Sequence, residues 1–451
     1  MTTHRASGPP ARAVTPSQKQ KGTGTAVELM DNPVRPYAWG SRTVIAELQG
    51  RPTPSPHPEA EMWLGAHPGD PSRLVAADGG RVSLLDALHA DPDALLGPDR
   101  AAKWSGNLPF LLKVLAADEP LSLQAHPSAA QAAEGFAREN AAGVPVDAPH
   151  RNYRDGSHKP ELICALTEFH ALVGFRPVAG TLALLRALDV AELAPHRALL
   201  EEQPDADGLR ALFTTWITLP QSVLDRVLPA LQQSCVRLAR AEEEHCLEAR
   251  MALELSERYP GDAGVLAALL LNLVVLQPGQ ALYLPAGNLH AYLSGAGVEL
   301  MANSDNVLRG GLTSKHVDVP ELLRVLDFRP VTPPVLHGTV EGPLPTGWVR
   351  YDTDAAEFLL RRLDGRGAGD DAVAVPDSGP RILLCTAGSA TVSTAGSATV
   401  STAGSARVGG ADADRELHRG QALWLGAADT GVTVAAPEGT QLFLACDGLD
   451  G

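Results

Sequence analysis

Between about residues 180 and 263 the chain exchanges one periodicity for another, and that switch limits the folds open to it. "GTLALLRALDVAELAPHRALLEE", "LRALFTTWITL" and "SVLDRVLPALQQSCVRLARAEEEHCLEARMALELSERY" carry Leu and Ala every three or four residues. That is the spacing of amphipathic helices, and the acids and arginines between them read as a solvated face. Either side differs. Residues 25–179 read as short β-type runs, "VRPYAWGS", "EMWLGAHPGDPSRL", "LPFLLKVL" and "LSLQAHP", nearly all punctuated by Gly or Pro. The same texture returns in "LVVLQPGQALYLPAGNLHAYL" and continues beyond 335 in "RILLCTAG", "ALWLGA", "GVTVAA" and "QLFLAC". The expected fold class is therefore mainly β with a helical insertion, of the antiparallel sandwich or jelly-roll kind. Residues 25–179 and 264–334 would form one barrel, 180–263 the helical insertion, and 335–451 a second β domain. One further helix, "SAAQAAEGFAREN", is expected after Pro127, with Ser128 as its N-cap.

Two stretches fall outside this pattern. Residues 1–24 are rich in Thr, Ser, Pro and Gly and hold Arg5, Arg12, Lys19 and Lys21 with no acid before Glu28, a composition that suits a disordered tail better than a transit peptide. "TAGSATVS" at 386–393 recurs at 394–401 and, as "TAGSARVG", at 402–409. It contains nothing that ligates, titrates or stacks, and reads as an expanded surface loop or hairpin.

Composition excludes some functions. With 53 acidic against 37 basic side chains the net charge is −16, which disfavours broad nucleic-acid binding but leaves room for a local basic pocket. The apolar run "VLAALLLNLVVL" is too short to span a bilayer, so no membrane role is expected. Five scattered cysteines, in no CxxC pair, suit a reducing, cytoplasmic setting. Lysine is scarce, at positions 19, 21, 103, 113, 159 and 315 only, so lysines beside chemically loaded motifs are of interest.

Those motifs begin with "LSLQAHPS". Residues two apart in a strand share a face, so Gln124 and His126 can converge on one point. Alone, His126 reads as a hydrogen-bonded wall histidine. A second segment changes the balance: "GQALYLPAGNLH" has the form G-x5-P-x-G-x2-H and matches the second motif of cupin barrels, whose terminal histidine, here His290, is a metal ligand. The Q-x-H at 124–126 stands where the first cupin motif begins H-x-H. "GSHKPELICAL" supplies a carboxylate, Glu161, at the head of an apolar run, with His158 and Lys159 beside it. Gln124, His126, Glu161 and His290 make an N2O2 set suited to one Zn2+ with a position left for water or substrate. His67 and His158 are reserve ligands. "ELMANSDNVLRGGLTSKHVD" adds Glu299, Asp305, Arg309 and Lys315 around a glycine pair.

In chain order, "NPVRPYAWGS", "EMWLGAHP", "LPFLLKVL…LSLQAHP", "HKPEL", "LPAGNLHAYL" and "SDNVLRGGLTSKHVD" resemble the type I phosphomannose isomerases over about residues 30–330. Beyond 335 the likeness is only to a general β-rich domain. The resemblance implies a zinc-dependent isomerase that interconverts mannose 6-phosphate and fructose 6-phosphate. It also implies a cupin-like catalytic barrel, a helical insertion and a second C-terminal cupin-like barrel. By motif, the zinc ligands are Gln124, His126, Glu161 and His290. Ser122 and Lys159 line the pocket, Arg309 is an essential cation, and Lys315 and Tyr292 fall on pocket-lining positions.

These residue types suit the reaction. Moving a carbonyl between neighbouring carbons removes a proton alpha to it and passes through an enediol, whose developing charge a metal and Arg309 can stabilise. A base must carry the proton, with Lys159 and Glu299 as candidates. Lys315, Ser122 and Arg309 are the groups for the phosphate of a small phosphosugar substrate. A monomer is expected, with a dimer as the alternative. Two rival readings are a cupin dioxygenase, which calls sooner for three histidines, and a sugar-phosphate-binding cupin without activity, which would lack a ligand or Arg309.

Overall fold

The structure is a computed structural model that describes residues 27–76, 78–242, 244–342, 347–365, 372–376, 379–394 and 414–449. The expected tail at 1–24, and the third and nearly all of the second repeat copy, lie outside the described residues.

Ten strands form the sheet that carries the motifs: β1 (Val34–Arg35), β2 (Glu61–Leu64), β3 (Phe110–Ala117), β4 (Leu123–Ala125), β5 (Glu161–Ala165), β6 (Phe169–Phe175), β7 (Leu271–Leu276), β8 (Ala281–Leu284), β9 (His290–Ala302) and β10 (Leu308–Gly311). The main path runs β7-β6-β9-β3-β2-β1; β4 links β9 to β10, and β5 links β9 to β8. Every pairing in it is antiparallel.

Strand β9 organises this sheet because it spans 13 residues and changes face part-way. Its ladder with β6 is irregular between Tyr292 and Ser294, and Gly295 sits at φ 112°, a conformation that favours glycine. A Cβ there would lie 2.5 Å from the Glu168 carbonyl oxygen, so the bend requires glycine twice over. A one-residue irregularity inverts the side-chain alternation. Even-numbered His290 and Tyr292 before the bend therefore share an interior with odd-numbered Glu299 and Met301 after it. The outer side chains follow suit: Ala291 and Leu293 pack among the helices, and Ala296, Val298 and Leu300 against the second sheet.

That second sheet has nine strands, contributed mainly by Thr339–Glu341, Trp348–Tyr351, Leu359–Asp364, Arg381–Ala387, Ala422–Leu425 and Gln441–Cys446. Three strands from the other end of the chain complete it: Glu28–Asp31 pairs with Ala422–Leu425, Arg73–Val75 adds to Glu28–Asp31, and Arg81–Ser83 adds to Arg73–Val75. Met62, Leu112, Val114, Leu162 and Leu300 of the first sheet interlock with Tyr351, Ile382, Trp424 and Phe443 of the second. Each such side chain contributes about 1.5–3 kcal/mol when taken out of water. The far face of the second sheet covers a four-stranded sheet through Leu383, Leu423 and Leu442 against Val392, Leu417 and Val434. The first repeat copy contributes the strand Ser389–Thr394 to that third layer.

Helices Val178–Leu188, Ala194–Glu202, Ala206–Ile217, Gln221–Ala241 and Cys246–Arg258 form the helical block. Leu185, Leu212, Phe213, Trp216 and Leu231 point inward and pack on Leu123, Ala125, Phe175 and Ala291 of the first sheet. The helix Ala129–Ala141 begins at Ser128, whose hydroxyl accepts from Gln131 N while the Gln131 side chain accepts from Ser128 N. The fold is thus mainly β sheets with helices.

Candidate metal centre

Four strands deliver the motif residues to one place. Gln124 of β4 lies opposite His290 of β9 and, on its other side, opposite Arg309 of β10. Directly opposed residues in an antiparallel pair project to the same face, so His290, Gln124 and Arg309 form a row. His126 follows Gln124 by two residues and keeps to that face. Glu161 arrives from β5, which pairs with the second half of β9 at Met301. The bend at Gly295 is what lets one strand serve both sides of the site.

His126, Glu161 and His290 are buried, and one ligand atom from each lies within 4.8 Å of the others. His126 Nε2 is 3.3 Å from Glu161 Oε1, and His290 Nε2 is 3.4 Å from Glu161 Oε2. The opposite nitrogens fix the tautomers. His126 Nδ1 lies 2.7 Å from the Asn306 carbonyl oxygen and His290 Nδ1 3.0 Å from that of Asn288. A carbonyl only accepts, so in each ring Nδ1 carries the proton and donates it, and Nε2 turns toward Glu161. Burial depresses the His126 pKa despite the attraction of Glu161. Burial works against the Glu161 charge too, but His126 and Lys159 prevail and hold its carboxyl well below the usual range.

Three buried metal-ligating groups thus face one another, and among the described residues His126 Nε2 has no hydrogen-bond partner at ordinary geometry. An ion fits this gap. Bonds of about 2.1 Å in a tetrahedral site put neighbouring ligand atoms about 3.4 Å apart, which is the spacing of Glu161 from both imidazoles. Gln124, directly opposite His290, is half-buried.

A second polar row runs beside the triad on the same interior face. Trp63, Lys113, Glu299 and Ile163 are opposed across β2, β3, β9 and β5. Lys113 Nζ is 3.0 Å from Glu299 Oε2 and 3.7 Å from Glu61 Oε1, and Trp63 Nε1 donates to Glu61 Oε2 at 2.7 Å. All are buried. Burial alone would discharge Lys113, but Glu299, Glu61 and Glu161 outweigh it and raise its pKa. Burial raises Glu299, with Glu161 and Glu61 adding to it and Lys113 opposing. Lys159 Nζ lies 3.2 Å from Glu161 Oε1 and joins the two rows.

The chain compares closely with known proteins. Residues 28–178 match the family model for the catalytic domain of type I phosphomannose isomerase. The mannose-6-phosphate isomerase of Escherichia coli K12 is 42% identical over 373 residues, 81% of this chain and 90% of that protein. Mannose-6-phosphate isomerase 1 of Arabidopsis thaliana is 34% identical, covering 80% of this chain and 84% of its own. A crystal structure of a Salmonella typhimurium phosphomannose isomerase variant superposes with a TM-score of 0.81 at 33% identity, over 94% of this chain and all of that one. A zinc-bound mannose 6-phosphate isomerase superposes at 0.80, with the same identity and coverage. The chain belongs to the type I phosphomannose isomerase family.

Against the expectations for such an isomerase, the remaining candidates fall in distinct places. Arg309 is half-buried and, among the described residues, its guanidinium makes no hydrogen bond or ion pair; burial and the Arg154 charge lower its pKa. Lys315 is mostly exposed, with its pKa lowered by partial burial, Arg309 and Arg154. Those three cations are therefore near neighbours. Ser122 is half-buried two residues before Gln124. Tyr292 is buried, its hydroxyl without a hydrogen-bond partner among the described residues, and burial together with Glu299 and Glu161 raises its pKa well above the usual phenol value. The reserve ligands are elsewhere: His67 Nε2 faces Asp305 Oδ1 at 3.3 Å, and His158 Nε2 faces Glu357 Oε1 at 2.8 Å.

Both reserve histidines line a cavity of about 880 Å3 beside the triad, not centred on it. Its walls are chain neighbours of the triad's supports: Ser157 and His158 precede Lys159, and Ser304 and Asp305 precede Asn306. Asn306 ties these walls together. Its carbonyl holds His126, its side-chain oxygen accepts from Arg154 N at 2.7 Å, and its amide donates to the Ser157 carbonyl at 2.8 Å.

Sequence alone assigns no role to Glu61, Arg154, Asn306 or Glu357, and marks Lys113 only as one of six scarce lysines. For Lys113 the signal was present: a lone ammonium inside "LPFLLKVL" has to find buried carboxylates. We expect Lys113→Met to lower unfolding free energy by about 3 kcal/mol, because Glu61 and Glu299 lose their shared cation. Urea denaturation measures this; an unchanged midpoint would show that something other than Lys113 sustains the two carboxylates.

Proposed function

We propose that this chain interconverts mannose 6-phosphate and fructose 6-phosphate, with one Zn2+ held by Gln124, His126, Glu161 and His290. The observation that carries this reading is the buried His126–Glu161–His290 group with both Nε2 atoms turned to one carboxylate. One carboxylate and three neutral donors suit zinc and leave about one net positive charge, which supplies Lewis-acid polarisation of a sugar oxygen when the ion is bound.

The protein's own groups do the rest. Arg309, a cation without a protein anion among the described residues, stabilises negative charge on the sugar, either on the enediol oxygens or on the phosphate. Lys315 at the rim and Ser122 contribute to the phosphate, and Tyr292 lines the pocket. Lys159 and Glu299 are the two groups for the proton transfer between neighbouring carbons. Glu299 has the upward pKa shift that makes a carboxylate a stronger base, and Lys113 holds it in place. Burial of His126, Lys159, Glu161, His290 and Glu299 limits the water that would protonate an enediol at random.

The architecture supports a finer description. We read residues 25–179 and 264–334 as a cupin-like catalytic barrel, 180–263 as an inserted helical domain and 335–451 as a second cupin-like unit. Strands Glu28–Asp31, Arg73–Val75 and Arg81–Ser83 extend the second unit's sheet. We further propose a monomer acting in the cytoplasm on a small phosphosugar. Among the described residues no helix is long and apolar enough to cross a membrane.

A coupled assay for fructose 6-phosphate formation tests the reading. Activity is expected to vanish on chelation and return with stoichiometric zinc. Undiminished turnover in fully metal-free protein would overturn it.

A further inference from the structure

We propose that Glu357, from the loop between two strands of the nine-stranded sheet, is a positioning residue for the isomerisation and acts through His158. The inference rests on the functional reading above. It gives the C-terminal part of the chain a share in the site.

Residues 352–358 connect Trp348–Tyr351 to Leu359–Asp364 and reach across to the motif-bearing sheet. Ala355 and Phe358 are buried in the core between the two sheets, and the Ala356 carbonyl accepts from Gly448 N at 3.0 Å. The Tyr283 hydroxyl, from β8, donates to Asp354 Oδ1. With its neighbours so fixed, Glu357 places Oε1 2.8 Å from His158 Nε2. Its Oε2 is buried without a hydrogen-bond partner, so among the described residues His158 is the group that the carboxylate engages.

Both partners line the 880 Å3 cavity beside the triad. His158 immediately precedes Lys159, which contacts Glu161. An acceptor on Nε2 leaves Nδ1 as the ring nitrogen available to a molecule in the cavity, and it fixes the ring plane. The same hydrogen bond raises the His158 pKa over the opposing effect of burial, with the Glu357 and Asp354 charges adding to it. Glu357 thus performs for a cavity-wall histidine what the Asn306 carbonyl performs for His126.

The test uses full-length, zinc-loaded protein. Wild-type turnover of mannose 6-phosphate is measured first and examines the isomerase reading; the ratios of variants to wild type examine Glu357. Glu357→Ala is expected to lower kcat/KM about 10–100-fold, the range for lost supports of functional histidines, with zinc content and Tm near wild type. The His158→Ala/Glu357→Ala double variant should be no worse than His158→Ala alone, because a residue acting through another has nothing left to act on. Tyr283→Phe, which removes another polar tether of the loop, should stay within about twofold of wild type in kcat/KM. Should Glu357→Ala fail to fold, Glu357→Gln in the wild-type and His158→Ala backgrounds gives the same comparison. Unchanged kcat/KM, losses that add with those of His158→Ala, or equal damage from Tyr283→Phe would overturn the proposal.

Discussion

Replacing His290 with Ala is expected to release the metal and abolish isomerisation together. The substitution removes one of two imidazoles whose Nε2 atoms face Glu161, leaving His126, Glu161 and Gln124 as incomplete donors. The remaining donors still attract a cation, but without the second imidazole the set lacks a ligand on the β9 side. Affinity should fall by far more than the 10–100-fold typical of losing an outer support. Elemental analysis after dialysis and the coupled assay read the two effects separately. Zinc retained at one per chain would show that His290 is no ligand, and the whole site would need redrawing.

Arg309→Ala should behave in the opposite way, keeping the metal and losing the chemistry. Arg309 is half-buried beside Arg154 and Lys315, with no carboxylate against its guanidinium among the described residues. Such a cation costs folding free energy. Its removal should therefore leave the denaturation midpoint unchanged or slightly raised. Turnover should drop about 10²–10³-fold, the usual penalty for losing one charge-stabilising donor. If Arg309 serves the phosphate instead, the loss will appear mainly in KM, so the kcat and KM values also decide between its two possible roles. Wild-type turnover and KM in the variant would remove Arg309 from the mechanism altogether.

How much of this was legible from the residues depends on the range of the interaction concerned. The helical block shows in its own Leu spacing, and the Ser128 cap in its own capping box, because both are settled within a few residues. Gln124 and His126 share a face for the same local reason. Their meeting with Glu161 and His290 could be read only because the motifs around each are distinctive. Lys113 was only half legible: seven apolar neighbours in "LPFLLKVL" say that its ammonium is buried, but its partners Glu61 and Glu299 stay hidden. The change of face in β9 was equally hidden, since an irregularity between Tyr292 and Ser294 depends on how β6 meets it. Glu299 was singled out for its charge, yet its place beside Tyr292 needs that irregularity. The partnership of His158 with Glu357 joins residues far apart in sequence and has no local signature at all.

The exchange of strands between the two ends of the chain bears on how the protein is made. Glu28–Asp31 is translated long before its hydrogen-bonding neighbour Ala422–Leu425. Until that segment arrives, the early strand has an open edge, and Met62, Val114 and Leu300 lack the surface that finally covers them. A product truncated near residue 335 would hold every proposed zinc ligand and still present this bare face to solvent. Nonsense and frameshift lesions that remove the second sheet should thus cost the cell soluble enzyme, through aggregation, while leaving every proposed zinc ligand encoded.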